Sequence, residues 1–189
     1  MIVCPMEKEA EAVRRAGPDA DVVAIGIGKA ASAIETARLL AFAKPERVLL
    51  VGCAGAVDGR FRQGSIVVPD VAVEWDFDDG SGAFRSVPVH RHFAHEVRAA
   101  LGLRPLRNDL TVATGDRFSP KDPRVAASGA AAVDMETAAV AMACMGACVP
   151  FCAVRVVSDT PDDPESYRRF WSDPEKWFEF VRNIPEGLR

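Results

Sequence analysis

A chain of 189 residues, 49% apolar and 26% charged, has enough material for one substantial core and is expected to form a single domain, 1–189. A net charge of −4 gives no electrostatic footprint for nucleic acid, and the longest apolar runs are broken by Arg, Glu or Gly well short of a membrane span. The opening MIVCPMEKEAEAV lacks the basic start and long apolar stretch of a signal peptide, so a cytoplasmic setting is expected, with neither membrane nor nucleic acid as partner.

Ile2 to Cys4 reads as a short apolar strand, and Pro5-Met6-Glu7-Lys8-Glu9 leads into a helix through Arg15 that Gly17-Pro18 closes. Val22 to Ile27 is a second strand ending in Gly26-Ile27-Gly28-Lys29, followed by a helix over Ala30 to Ala43. Strand, Gly-x-Gly-Lys and helix have the outline of a phosphate cradle, but the spacing fits neither a P-loop nor a dinucleotide fingerprint. Arg47 to Gly52 is the most apolar strand and central by pattern. Cys53, Ala54 and Gly55 behind it are small enough to let the backbone approach a flat ligand. Further strands are expected over 64–69, extended by 71–75, and at 112–116, with a loop at 78–82 and a helix over 93–101. The C-terminal segment 165–182 reads as one amphipathic helix carrying Phe170, Trp171, Trp177 and Phe180. Strands alternate with helices throughout, which defines an α/β class with a largely parallel or mixed sheet.

The stretch from Val133 to Asp159 is the most informative. Asp134 and Glu136 fall at the start of an Ala-rich helix, where the helix dipole favours acids, and Gly146 and Pro150 end that helix. Phe151 to Val157 is a nearly continuous apolar run, interrupted only by Arg155, as in a strand covered on both faces. Ser158-Asp159 then sits beyond its carboxyl end, where open α/β sheets place their ligands. Five cysteines, an odd number, argue against a closed disulfide set. Cys144, Cys148 and Cys152 are four apart, but the third lies past Pro150 on a strand, so buried free thiols are expected. His90, His92 and His95 have no nearby cysteine to complete a zinc set, and no metal site is expected.

Five motifs in order along the chain carry a family resemblance. DMETAAVA followed by VRVVSD, GIGKAASA, VGCAGAVDGRFRQGSIVV, EWDFD and ATGDRFS together resemble the signature of the nucleoside phosphorylase and nucleosidase superfamily. The likeness is closest to its 5'-methylthioadenosine/S-adenosylhomocysteine nucleosidases. It implies a three-layer αβα fold with a central mixed, largely parallel sheet. It also implies a homodimer in which the segment at His92 and Phe93 reaches into the neighbouring subunit's site. By the same resemblance Glu136 binds the ribose hydroxyls, Asp159 handles the proton on the leaving purine, and Glu9, in PMEKEAEAV, activates water. Met6 and Met135 would contact the sugar and 5' substituent, Phe118 beside Ser119 would stack on the purine, and Phe170 is a candidate wall of the 5' pocket.

Cleaving an N-glycosidic bond requires stabilising an oxocarbenium-like sugar, protonating the base and delivering a nucleophile to the opposite face. Glu136 can accept from both vicinal hydroxyls, and Asp159 can donate to purine N7 if a dry pocket raises its pKa. Ser158 is placed to orient Asp159, and Arg155 is expected to pair with another acid, Glu136 or Glu9. Leu50 stands where the phosphorylase branch carries an arginine, and Cys53 where it carries a serine, which favours water over phosphate. The expected activity is therefore hydrolysis of a 5'-substituted adenine nucleoside to free base and sugar without a cofactor. A phosphorylase and a non-catalytic nucleoside-binding homologue are the alternatives. Only sixteen residues separate Glu9 from Gly26, so the N-terminal region is shortened relative to the family by what reads as a missing hairpin.

Overall fold

The computed structural model describes residues 1–103, 110–117, 121–163, 165–182 and 184. Among them one mixed sheet runs in the order β2 (Val22–Ala24), β1 (Ile2–Cys4), β3 (Val48–Ala56), β8 (Ala132–Asp134), β7 (Thr111–Thr114), β5 (Val71–Glu74) and β6 (Arg85–Pro88). On the other edge of β3 lies β9 (Phe151–Asp159), which pairs in turn with β4 (Ile66–Val67). The β2–β1, β1–β3, β3–β9, β8–β7 and β7–β5 pairs are parallel, and β3–β8, β9–β4 and β5–β6 are antiparallel. Two helix groups flank the sheet: α2 (Lys29–Phe42) packs on α5 (Thr137–Gly146), while α1 (Glu7–Ala16) packs on α7 (Pro174–Arg182), which adjoins α6 (Ser166–Trp171). The remaining helices are α3 (Arg91–Ala100) and the short α4 (Pro123–Ala127).

β3 and β9 form the spine because their side chains are apolar on both faces, the pattern that only a doubly covered parallel strand can bury. Val48 to Ala54 pair in unbroken register with Phe151 to Val157, and a bulge at Ser158 then brings Asp159 opposite Gly55. The opposite edge of β3 changes partner: Leu49 and Leu50 face β1, whereas Gly55 and Ala56 face β8. Between them the sheet opens, and this is where the cleft described below begins.

Four sequence expectations change. Asp134 is the last residue of a strand and Glu136 the N-cap of α5, so neither lies within the helix. The segment 165–182 is two helices, since Pro174 begins a new one after Ser172-Asp173. Cys148 is exposed, in the left-handed region at φ 57°, while Cys4, Cys144 and Cys152 are buried thiols. Phe93 turns inward, 4% exposed, into its own chain's core, so it is not free to reach a neighbouring subunit; His92 remains exposed. The adjacent His90 caps α3, its Nδ1 accepting from Phe93 N at 3.3 Å. Among the described residues no helix is long and apolar enough to cross a membrane.

Candidate active site

The cleft holds about 550 Å³ of empty space, part of it open to solvent. Its lining gathers Met6, Glu9, Cys53, Ala54, Gly55, Met135, Glu136, Arg155, Ser158 and Asp159 from four separate stretches of chain. Of the residues read from sequence as site components, Phe170 is not among them: it is buried against Trp171 and Trp177. Phe118 and Ser119 lie outside the described residues.

Glu9 owes its position to the gap in the sheet. Where β3 has left β1 and not yet met β8, the Cys53 N–H has no strand to pair with, and Glu9 Oε1 accepts it at 3.0 Å. Glu9 Oε2 accepts from Met6 N at 2.9 Å, closing the first turn of α1. The carboxyl is fully buried, and burial pushes its pKa up to about 7, against the pull of Arg155 and the two backbone N–H groups.

Glu136 is held from two sides. Its Oε1 accepts from Gly28 N at 3.1 Å and its Oε2 from Arg155 Nη2 at 2.9 Å. Each oxygen keeps a second lone pair for a hydroxyl group. Arg155, 1% exposed, also places Nε 3.1 Å from Asp134 Oδ2. Asp134 in turn accepts from Thr114 Oγ1 at 2.6 Å and from the hydroxyl of Thr137. Thus one guanidinium neutralises two buried acids, with Glu9 close enough to feel its charge. Burial raises the Glu136 pKa, and Arg155 works against that shift. Gly52 is required beneath this arrangement, because a Cβ there would come within 2.6 Å of Arg155 Nη1.

Asp159 closes the far end. Ser158 Oγ donates to its Oδ1 at 2.6 Å, yet burial dominates and raises its pKa. Its Oδ2 packs over Gly55, where an added Cβ would lie 2.8 Å away. Since the far end of the Asp159 side chain is what yields, Gly55→Ala is expected to keep the fold but displace the carboxyl. Misplacement of this size lowers catalytic rates by about 10- to 100-fold. Steady-state kinetics alongside a thermal melt checks both halves of that outcome.

Sequence reasoning missed Tyr167, Ile27 and the part played by Asp134. Tyr167 is the single tyrosine of the chain and lines the cleft from α6. Gln63 holds that helix in place, with Nε2 donating to Ser158 O at 2.7 Å and to Ser166 O at 2.9 Å. The family resemblance pointed to Phe170 instead. The signal for Asp134 was the pair of threonines, Thr114 and Thr137, of which one is twenty residues away.

A three-layer α/β fold whose cleft opens at a change of strand partner, with three buried carboxylates around it, defines a class. The sequence model of the Phosphorylase superfamily matches residues 1–179, and the chain belongs to that family. Within it, the chain is 32% identical over 173 residues to the 5'-methylthioadenosine/S-adenosylhomocysteine nucleosidase of Marinomonas sp. (strain MWYL1), covering 82% of this chain and 74% of that one. It also resembles the solved S-adenosylhomocysteine nucleosidase of Streptococcus pyogenes in complex with 5-methylthiotubericidin. The TM-score there is 0.80 at 25% identity, over 100% of this chain and 96% of that one. The futalosine hydrolase of Helicobacter pylori shares the fold, with a TM-score of 0.78 at 20% identity over 97% of this chain and 95% of that one.

Proposed function

We propose that the chain hydrolyses the N-glycosidic bond of a 5'-substituted adenine nucleoside of the methylthioadenosine or adenosylhomocysteine kind. The observation carrying this reading is that Glu9, Glu136 and Asp159 line one cleft from three different directions of the chain. Glu136 accepts from the ribose 2' and 3' hydroxyls and adds negative charge near the developing oxocarbenium ion. Asp159, whose pKa is raised by burial, gives its proton to N7 as the C1'–N9 bond breaks. Glu9 takes a proton from the water whose oxygen bonds to C1', so one water is consumed and free base and sugar leave. Every proton in this scheme has a protein donor or acceptor, and the scheme calls for no metal or organic cofactor.

Water is favoured over phosphate by charge. Among the described residues lining the cleft, Arg155 is the sole cation, and Asp134 and Glu136 already neutralise it. A phosphate dianion placed there would face buried acids with no free guanidinium. Adenine release from 5'-methylthioadenosine is expected to proceed at the same rate with and without added phosphate. Strict dependence on phosphate would overturn the hydrolytic reading.

The same reading includes a homodimer, working in the cytoplasm and supplying methionine salvage. Ile34 and Phe42 of α2 are 72% and 81% exposed, and Met145 and the cleft residue Ile27 are exposed as well, apolar side chains that a partner subunit would cover. Sedimentation velocity should give a dimer; a fully active monomer would contradict it.

A further inference from the structure

Lys29 follows directly on Gly28, whose N–H holds Glu136 Oε1 at 3.1 Å. This glycine has a backbone that other residues rarely adopt, with φ 90°, and it has no side chain with which to fix itself. Its carbonyl is held by α2, accepting from Ser32 N at 3.1 Å and from Ser32 Oγ at 2.8 Å, and its N–H side is held through the next residue. Lys29 N donates to Asp116 Oδ1 at 2.7 Å, and Lys29 Nζ donates to Asp76 Oδ1 at 2.7 Å. Asp76 Oδ2 meanwhile accepts from Asp116 N at 2.7 Å, so the two aspartates are tied to each other as well as to the lysine. Glu74, buried at the end of β5, adds a second carboxylate 3.2 Å from Lys29 Nζ and is itself paired with Arg85 at 3.0 Å. The loops that follow β2, β5 and β7 are thereby locked together at the edge of the cleft.

Lys29 and the two aspartates are not among the cleft-lining residues. The Lys29–Asp76 pair is mostly sheltered, its side chains 19% and 15% exposed, whereas Asp116 is exposed. A surface ion pair would contribute little. This one instead closes a ring of hydrogen bonds between backbone and side chain, which fixes where the Gly28 N–H points.

We infer that Lys29, Asp76 and Asp116 form a clasp that positions Glu136 for the ribose diol by fixing the Gly28 N–H. They are positioning residues and touch no substrate. The inference rests on the reading of Glu136 as the ribose-binding group. Without the clasp, Gly28 is held only through its carbonyl by Ser32, its N–H is no longer aimed at Glu136, and the carboxylate keeps a firm bond only to Arg155.

The test is a double-mutant cycle on 5'-methylthioadenosine hydrolysis, using Lys29→Met, Glu136→Gln and the pair. Lys29→Met is expected to raise KM about tenfold, the size of one well-aligned hydrogen bond, with a smaller effect on kcat. The double variant should fall no further than Glu136→Gln alone, and Lys29→Arg should recover most of the loss. Asp116→Asn, which weakens the hold on Lys29 N while keeping side-chain shape, should shift KM in the same direction and covers the case in which Lys29→Met fails to fold. Full additivity of Lys29→Met and Glu136→Gln, or an unchanged KM in both Lys29→Met and Asp116→Asn, would overturn the clasp while leaving the ribose role of Glu136 intact. An unchanged KM in Glu136→Gln would overturn the ribose reading and the clasp together.

Discussion

Glu9→Gln is expected to lower kcat by about 10²- to 10⁴-fold, the range for losing a positioned general base, and to erase the acid limb of the pH profile. With the Glu9 pKa pushed up to about 7 by burial, wild-type kcat/KM should rise as pH climbs through 7, because only the ionised carboxylate can take a proton from water. The same shift has a stability consequence of opposite sense. The folded protein holds the Glu9 proton more tightly than the unfolded chain, so the favourable contribution is complete below about pH 4.5 and is lost as pH rises through 7. At about 1.4 kcal/mol per pKa unit the difference is about 3 kcal/mol. Denaturant melts of wild type and Glu9→Gln between pH 4.5 and 8 should diverge accordingly, the variant showing the flatter profile. A variant retaining both full activity and the limb near pH 7 would remove Glu9 from the mechanism.

Arg155→Met is expected to destabilise the fold by about 3–5 kcal/mol, the range for leaving buried charges without their partner. Arg155 is the centre of an Asp134–Arg155–Glu136 triad with Glu9 nearby, and its removal strands three carboxylates in the interior. Two consequences separate this from ordinary core damage. The pKa of Glu9 should move further above 7, since Arg155 is the largest force opposing its rise, carrying the acid limb of any residual activity to higher pH. Arg155→Lys should restore only part of the stability, because an ammonium does not span Asp134 and Glu136 as the planar guanidinium does. Denaturation midpoints and pH profiles of the two variants check both points.

The parts of this molecule that were legible in its sequence are those whose physics is local. β1, β3 and β9 are short or long apolar runs that fit only buried strands, and α1, α2 and α5 have helix-forming composition with Gly or Pro near their ends. Glu9, Glu136 and Asp159 were legible through family resemblance, since nothing in the string EKEAEA distinguishes a buried Glu9 from its solvated neighbours. What hides Glu9 is the Cys53 N–H, 44 residues away, at a break in strand pairing that no local pattern announces.

Other features were out of reach for the same reason. β8 is three residues long and exists because β3 offers it an edge, so the helical composition that follows obscured it. For Arg155 the expected pairing with Glu136 is found, but its second partner, Asp134 at the end of β8, was not foreseen. The aromatic C-terminal segment had the right amphipathic period for one helix, and only Pro174 marks the break. That break separates Tyr167, which lines the cleft, from Trp177 in the core.

The most direct check is a crystal structure of this chain with a non-hydrolysable analogue of 5'-methylthioadenosine in which carbon replaces the glycosidic nitrogen. The account predicts Glu136 at hydrogen-bond distance from both ribose hydroxyls, Asp159 facing N7, and an ordered water between Glu9 and the face of C1' opposite the base. A ligand seated with the sugar away from Glu136, or with Glu9 and Asp159 on the same side of the anomeric carbon, would contradict it.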